Sequence, residues 1–279
     1  LYVRSGTEND EYPIMYYRGD ITNNNVLFAN FCWKIVRTTE LGGMKLIYNG
    51  SPNNNQCDNT GTATQIGTSA FNSNFNNRKY VGYMYNDKMS TSQHGDTESI
   101  IKTVIDTWYK TNMDDKGYTK YLEDTVWCND RSVVMLGNGY ANYGSYKRTF
   151  IDASPQLKDD KMCTNQQDRY TVNDTEKGNG ALTYPVSLLT VDELFTSGFA
   201  GNGSSSYIFQ GIDFWLLSPG SYQLSNGVYK VTGMLISSES TFVGGNLNEE
   251  HGVRPSIVLK KGINSFEGNG EPETPYVIE

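Results

Sequence analysis

Four cysteines, at positions 32, 57, 128 and 163, constrain this chain more than any other feature. None belongs to a Cys-x-x-Cys pair, and His94 and His251 lie far from all four in sequence, so the spacing does not suit zinc. An even count in an Asn- and Tyr-rich acidic chain suits disulfides, which persist in oxidising compartments. Three connectivities are open. The local one, Cys32 with Cys57 and Cys128 with Cys163, closes two loops worth about 3 kcal/mol each through unfolded-chain entropy. Four buried thiols are the plainer alternative. The disulfide reading predicts an extracellular protein.

Acidity removes one large class of function. The chain has 31 acidic against 23 basic residues and a net charge of −8, whereas a phosphate-tracking surface needs clustered Lys and Arg. No nucleic-acid partner is expected. No stretch approaches the roughly 18 to 20 apolar residues of a membrane span, and Leu1-Tyr2-Val3-Arg4-Ser5 has neither basic n-region nor apolar h-region. At 279 residues the length fits two domains or one large β-rich one. Charged residues are only 19%; Asn, Gly, Ser, Thr and Tyr take their place, the vocabulary of turns and strands.

The pattern along the chain is β, then helical with long loops, then β. Val26 to Arg37 is rich in β-branched and aromatic residues and alternates from Phe31 as a half-buried strand does; Glu40-Leu41-Gly42-Gly43 turns it into Met44 to Tyr48, a hairpin over 26–48. Residues 49–79 read as a long loop anchored by Cys57, and Tyr80 to Tyr85 as a short strand. Ile100, Ile101, Val104, Ile105 and Trp108 share one helical face, predicting a helix from Asp96 or Thr97 to Tyr109. A second helical piece is expected over Tyr118 to Val126. Thr190-x-x-Glu193 has the spacing of a capping box. Strands return from Phe214 to Leu259. The fold class is therefore α+β, mainly antiparallel β with long loops and a few short helices. One extracellular domain is expected over 1–264, with an N-terminal extension (1–25), a helical and loop region (96–195) and a β-rich end (214–260), followed by a linker (265–279) to a further segment.

Six phrases carry a resemblance: Tyr16-Tyr17-Arg18-Gly19-Asp20 with Asn23-Asn24-Asn25-Val26, Phe31-Cys32-Trp33-Lys34-Ile35-Val36-Arg37, Thr125 to Asp130, Leu182 to Val186, Phe214-Trp215-Leu216-Leu217-Ser218-Pro219, and Gly252-Val253-Arg254-Pro255. Together they resemble a poorly characterised module of large surface proteins from Gram-positive gut bacteria. The last two further resemble the end of the C-type-lectin-like fold, as used by bacterial relatives of formylglycine-generating enzymes and by phage receptor-binding proteins. The resemblance implies a secreted or wall-displayed location and a C-type-lectin-like architecture. It implies no activity transferable residue by residue.

Catalytic chemistry finds little footing. There is no Gly-x-Ser-x-Gly elbow and no His-Glu-x-x-His. Glu123-Asp124 and Asp192-Glu193 are adjacent in sequence and diverge on a helix, which reads as capping and surface charge. Asp114-Asp115 and Asp159-Asp160 lack the alternation of a calcium loop and read as solvated faces. No metal or cofactor is expected. Arg18-Gly19-Asp20 matches an integrin-read tripeptide, but also a strand running into a turn. Arg254, in an apolar strand, reads as a fold-holding charge that needs a carboxylate or carbonyl partner.

Binding has a better physical basis. Twenty Tyr and four Trp set among Asn, Ser and Gly resemble paratope chemistry, in which rigid amphipathic rings supply contact area at small entropic cost. Candidate contact loops are 140–146, 201–207 and 221–226, with Tyr140, Tyr143, Tyr146, Tyr207 and Tyr222 as the ligand-binding rings. The expected function is a non-enzymatic adhesion module at the bacterial cell surface. Its partner would be a glycan or protein on a host or neighbouring cell, a host glycoprotein or immunoglobulin among them. An extracellular polysaccharide hydrolase, marked by two facing carboxylates in a cleft, and a passive stalk are the alternatives.

Overall fold

The computed structural model describes residues 1–89, 94–137, 139–198, 205–226, 228–239, 241–263 and 267–278. The first third carries β1 (Tyr2–Val3), β2 (Met15–Tyr16), β3 (Asn25–Phe28), β4 (Phe31–Thr38), β5 (Met44–Tyr48), β6 (Gly67–Ala70), β7 (Met84–Tyr85) and β8 (Thr97–Glu98), then α1 (Ile100–Tyr109). The middle carries β9 (Trp127–Cys128), β10 (Val133–Gly137), β11 (Tyr140–Tyr143), α2 (Gly144–Tyr146), α3 (Asp159–Met162), β12 (Arg169–Tyr170) and α4 (Val191–Thr196). β13 (Phe214–Ser225), β14 (Val228–Ile236), β15 (Phe242–Asn246), β16 (Glu250–Val253), β17 (Ser256–Leu259) and β18 (Tyr276–Ile278) follow. Mostly β with a few short helices, the chain has the coarse class its sequence predicts.

One sheet is the antiparallel series β3–β4–β5–β17, extended by β1 and β2 beyond β4 and by β18, parallel to β3. The other is antiparallel β10–β11–β13–β14–β15, with β16 joining β13 in parallel and β6 on its far side. Trp33 of β4, Trp215 of β13 and Ile257 of β17 meet in one core, so the sheets belong to one packed unit. A second apolar cluster, with Val36, Ile47, Leu194, Phe214 and Met234, lies against other side chains of the same strands. Six consecutive residues of β4, Cys32 to Arg37, are consequently buried. The expected half-buried strand is a central one covered on both faces.

Buried charge is the consequence. Glu193 completes the capping box of α4 with Thr190 and also accepts Arg37 Nε at 2.8 Å and Lys45 Nζ at 2.6 Å. Asp192 takes Arg148. Neither acid is the surface charge its sequence position suggested, because α4 packs into the second cluster. Glu123 is buried on Thr39 Oγ1, while Asp124 accepts the backbone N–H groups of Val172, Asn173 and Asp174. Both disulfides take the local pairing, with Cα separations of 5.5 Å for Cys32–Cys57 and 5.6 Å for Cys128–Cys163.

Several boundaries differ from expectation. Ala29 and Asn30, at φ 56° and 62°, turn Val26–Arg37 into two strands; a two-residue turn with both φ positive matches strand twist. α1 starts after Ser99, whose hydroxyl caps Lys102 N, because Thr97 and Glu98 pair with β7 instead. Only one short turn, Tyr118–Tyr121, forms where a second helix was expected, and Glu123 N instead bonds Val258 O. Residues 1–25 are not a separate extension, since β2 pairs with β4 and Asn24 and Asn25 are buried. Nor do 267–278 form a linker. β18 pairs with β3, Gly270 O accepts Asn25 N, and Pro272 O accepts Cys57 N. Among the described residues no helix is long and apolar enough to cross a membrane.

Candidate functional site

The two-residue period of β11 sorts the central candidate loop. Ala141 and Tyr143 point into the core, where Tyr222, opposite Ala141, joins them. Asn142 and its cross-strand partner Ser221 take the other face. There, with Thr232 and Met234 of β14 and Phe242, Val243 and Gly244 of β15, they form the floor of a pocket of about 310 Å³. Its roof is the helical turn 144–151, which brings Tyr146 and Phe150 over the sheet. Tyr146 and Phe150 lie 4.8 Å apart, and Phe242 meets Phe150 edge-on at 5.0 Å.

Two glycines keep the floor open: a Cβ at Gly220 would come within 2.7 Å of Thr232 Oγ1, and one at Gly244 within 3.0 Å. The roof is held by charge. Arg148, between Tyr146 and Phe150 in sequence, donates Nη1 to Asp130 at 2.6 Å and both Nε and Nη2 to the Asp192 carboxylate. This two-pronged contact fixes direction as well as distance. Asp130 follows Cys128, so the second disulfide anchors the same turn. The lining is electrically neutral around pH 7: two amide and hydroxyl side chains of the facing strands (Asn142, Ser221), Thr232, and three rings. The Asn142 carboxamide makes no hydrogen bond to another described residue, although the residue is only 9% exposed.

The five tyrosines expected to contact ligand separate accordingly. Tyr146 lines the pocket; Tyr140, 48% exposed, stands two residues before Asn142, the β11 residue that lines it. Tyr143, Tyr207 and Tyr222 are core residues and not contact residues, since burial leaves 0%, 3% and 5% of them exposed. Burial pushes the Tyr143 and Tyr207 hydroxyls up from the ordinary tyrosine range. Tyr222 carries the Arg78 guanidinium on its ring at 4.6 Å. Residues 201–204 of the second loop lie outside the described residues, and 221–225 belong to β13. Arg254 is buried with its guanidinium on Tyr48 O, Ile208 O and Asn49 Oδ1 and over the Phe214 ring. Arg18-Gly19-Asp20 is tied to the scaffold through Thr196 O, Ser197 O and Tyr207 N.

Against models of known protein families, curated proteins and solved structures, the chain finds no match. The pocket therefore has to be read from its own chemistry. Phe150, Thr232 and Phe242 were missed in the sequence because they come from three segments that only the sheet brings together.

A second cluster of acids is differently built. Glu40, Glu123, Asp124, Asp159 and Asp174 border a crevice of about 10 Å³ beside Lys177. Burial pushes Asp159 up to about 7 despite Arg37, and burial raises Glu123 as well. A void of that size holds about one water molecule. Among the described residues no group of three or more His, Cys, Asp or Glu has metal-binding geometry.

Proposed function

We propose that this chain is a non-enzymatic extracellular recognition module that binds a glycan through the pocket between the 144–151 turn and the second sheet. The observation that carries the reading is the pairing of an aromatic roof, Tyr146 and Phe150, with the neutral polar floor of Asn142, Ser221 and Thr232. A pyranose ring offers an apolar C–H face and a rim of hydroxyls, and this arrangement complements both. The 310 Å³ volume suits one or two sugar units. Charged head groups find no counter-charge in the lining. Two disulfides agree with an oxidising, extracellular setting. Display on a bacterial surface, a partner on a host or neighbouring cell, and a C-type-lectin-like architecture rest on the sequence resemblance.

Polysaccharide hydrolysis is the weaker reading: of the carboxylates that burial raises, Glu123 and Asp159 border the crevice of about 10 Å³ and not a space that admits a sugar, and Asp106, Asp168 and Asp192 are paired with Lys102, Arg131 and Arg148. A glycan array probed with wild type, Tyr146→Ala and Asn142→Ala tests the proposal. Wild type is expected to bind a defined subset, and each variant to bind that subset at least tenfold more weakly while unfolding as wild type does. Binding equal to wild type in both variants, or no glycan bound at all, overturns it.

A further inference from the structure

The C-terminal segment builds a second cleft, of about 700 Å³, that shares no lining residue with the aromatic pocket. One wall is the β3–β4 turn, Leu27 to Asn30, with Asn55 and Tyr118 beside it; the other is 267–268, 273–275 and 277–278. We propose that this cleft binds an organic cation, a primary amine or guanidinium carried on an aliphatic stem.

Charge and shape both point that way. Glu267 and Glu273 line the cleft and are exposed, and among the described residues no Lys, Arg or His lines it. Leu27, Pro275, Val277 and Ile278 give an aliphatic stem an apolar bed, and the partly exposed Tyr118, whose ring meets the buried Phe28 edge-on at 5.6 Å, offers π-density to a cation. Tyrosine faces elsewhere in the molecule already hold ammonium groups: Lys120 lies 4.8 Å from the Tyr121 ring and Lys261 4.2 Å from that of Tyr12. The volume lies within the range of small-molecule sites, about 300 to 1,000 Å³.

The walls are also fixed in advance. Cys57, two residues after Asn55, is bonded to Cys32 and donates its N–H to Pro272 O. Asn25 holds Gly270 O through both its backbone N–H and its side-chain amide, each at 2.9 Å. Gly268 approaches Pro275 so closely that a Cβ would stand 1.9 Å from its carbonyl oxygen. Ala29, Asn30 and Asn55 hold positive φ without being glycine. Such backbone persists only where its surroundings enforce it.

Titration calorimetry on the oxidised full chain decides the matter, with three probes: N-acetyl-lysine amide, spermidine and the uncharged N-acetyl-norleucine amide. The two cations compare a peptide side chain with a free polyamine as source. We expect saturable binding of at least one cation and none of norleucine amide. Glu267→Gln with Glu273→Gln is expected to weaken binding at least tenfold; Glu8→Gln with Glu11→Gln, which removes the same charge from another exposed segment, changes it less than twofold. Tyr118→Leu, which keeps the charge and removes the ring, is expected to weaken it about threefold or more. Equal loss in both double variants reduces the effect to net charge and overturns the proposal. So does norleucine amide binding as well as lysine amide, or neither cation saturating. None of these variants touches the aromatic pocket, so failure here leaves the glycan reading standing, and the reverse.

Discussion

Glu193→Gln isolates the charge on which the interior of the molecule turns. Glu193 Oε1 accepts both Arg37 and Lys45, and Oε2 accepts Thr190 N at 3.0 Å. Burial alone would raise this carboxyl, but Lys45 and Arg37 override it and bring it from 4.5 down to about 2. At about 1.4 kcal/mol per unit, that depression corresponds to about 3 kcal/mol of stability. A group lowered on folding contributes fully above its unfolded pKa, and the contribution is lost as pH falls from about 4.5 towards 2. Glutamine keeps the acceptor of the capping box but leaves two buried cations without their anion, and breaking a buried ion pair costs about 3–5 kcal/mol. The two routes agree. Urea unfolding of the oxidised protein, followed by tryptophan fluorescence, is expected to show a deficit of about 3–5 kcal/mol at pH 7 that shrinks below pH 4.5. A deficit under about 1 kcal/mol, the scale of an exposed pair, or one unchanged down to pH 2.5, refutes the reasoning.

Two further titrating groups give opposite signatures. Asp159, raised by burial from 3.8 to about 7, favours the folded state below pH 3.8 and loses that advantage as pH rises to 7; Asp159→Asn is expected to unfold at a higher temperature than wild type at pH 8 and to converge with it near pH 4 in calorimetry. Lys34, lowered by burial and by Arg254 from 10.5 to about 8, has among the described residues only Asn25 Oδ1 as a hydrogen-bond partner. Its ammonium opposes folding below pH 8 and the penalty fades up to about 10.5, so Lys34→Met is expected to gain about 1–2 kcal/mol at pH 7 after the lost hydrogen bond. A variant less stable than wild type in urea at pH 7 contradicts this.

What the sequence revealed followed from local chemistry. Thr190 and Glu193 announced their helix because a capping box needs only four residues, and the β4–β5 turn announced itself through Gly42 and Gly43. The disulfide pairing was among three open choices and took the local one. Tertiary effects were illegible. Ala29 carries no turn signal, yet it holds a left-handed turn that splits one apparent strand. Thr97 and Glu98 resemble a helix start but are taken by pairing with Met84 and Tyr85. The Gly- and Pro-punctuated tail has linker composition, and only the pairing of β18 with β3, beside the bonds from Asn25 and Cys57, turns it into the edge of a sheet. At the candidate site the sequence supplied Tyr146 through the density of its loop in aromatic and small polar residues. It could not separate Tyr146 from Tyr143, because strand phase buries Tyr143 while the helical turn that follows carries Tyr146 over the sheet.

A crystal structure of the oxidised chain with the tightest-binding array glycan shows whether the aromatic pocket is the binding site. One sugar ring is expected against Tyr146 and Phe150 with hydroxyls on Asn142 and Ser221. A glycan seated elsewhere, with that pocket filled only by solvent, contradicts it.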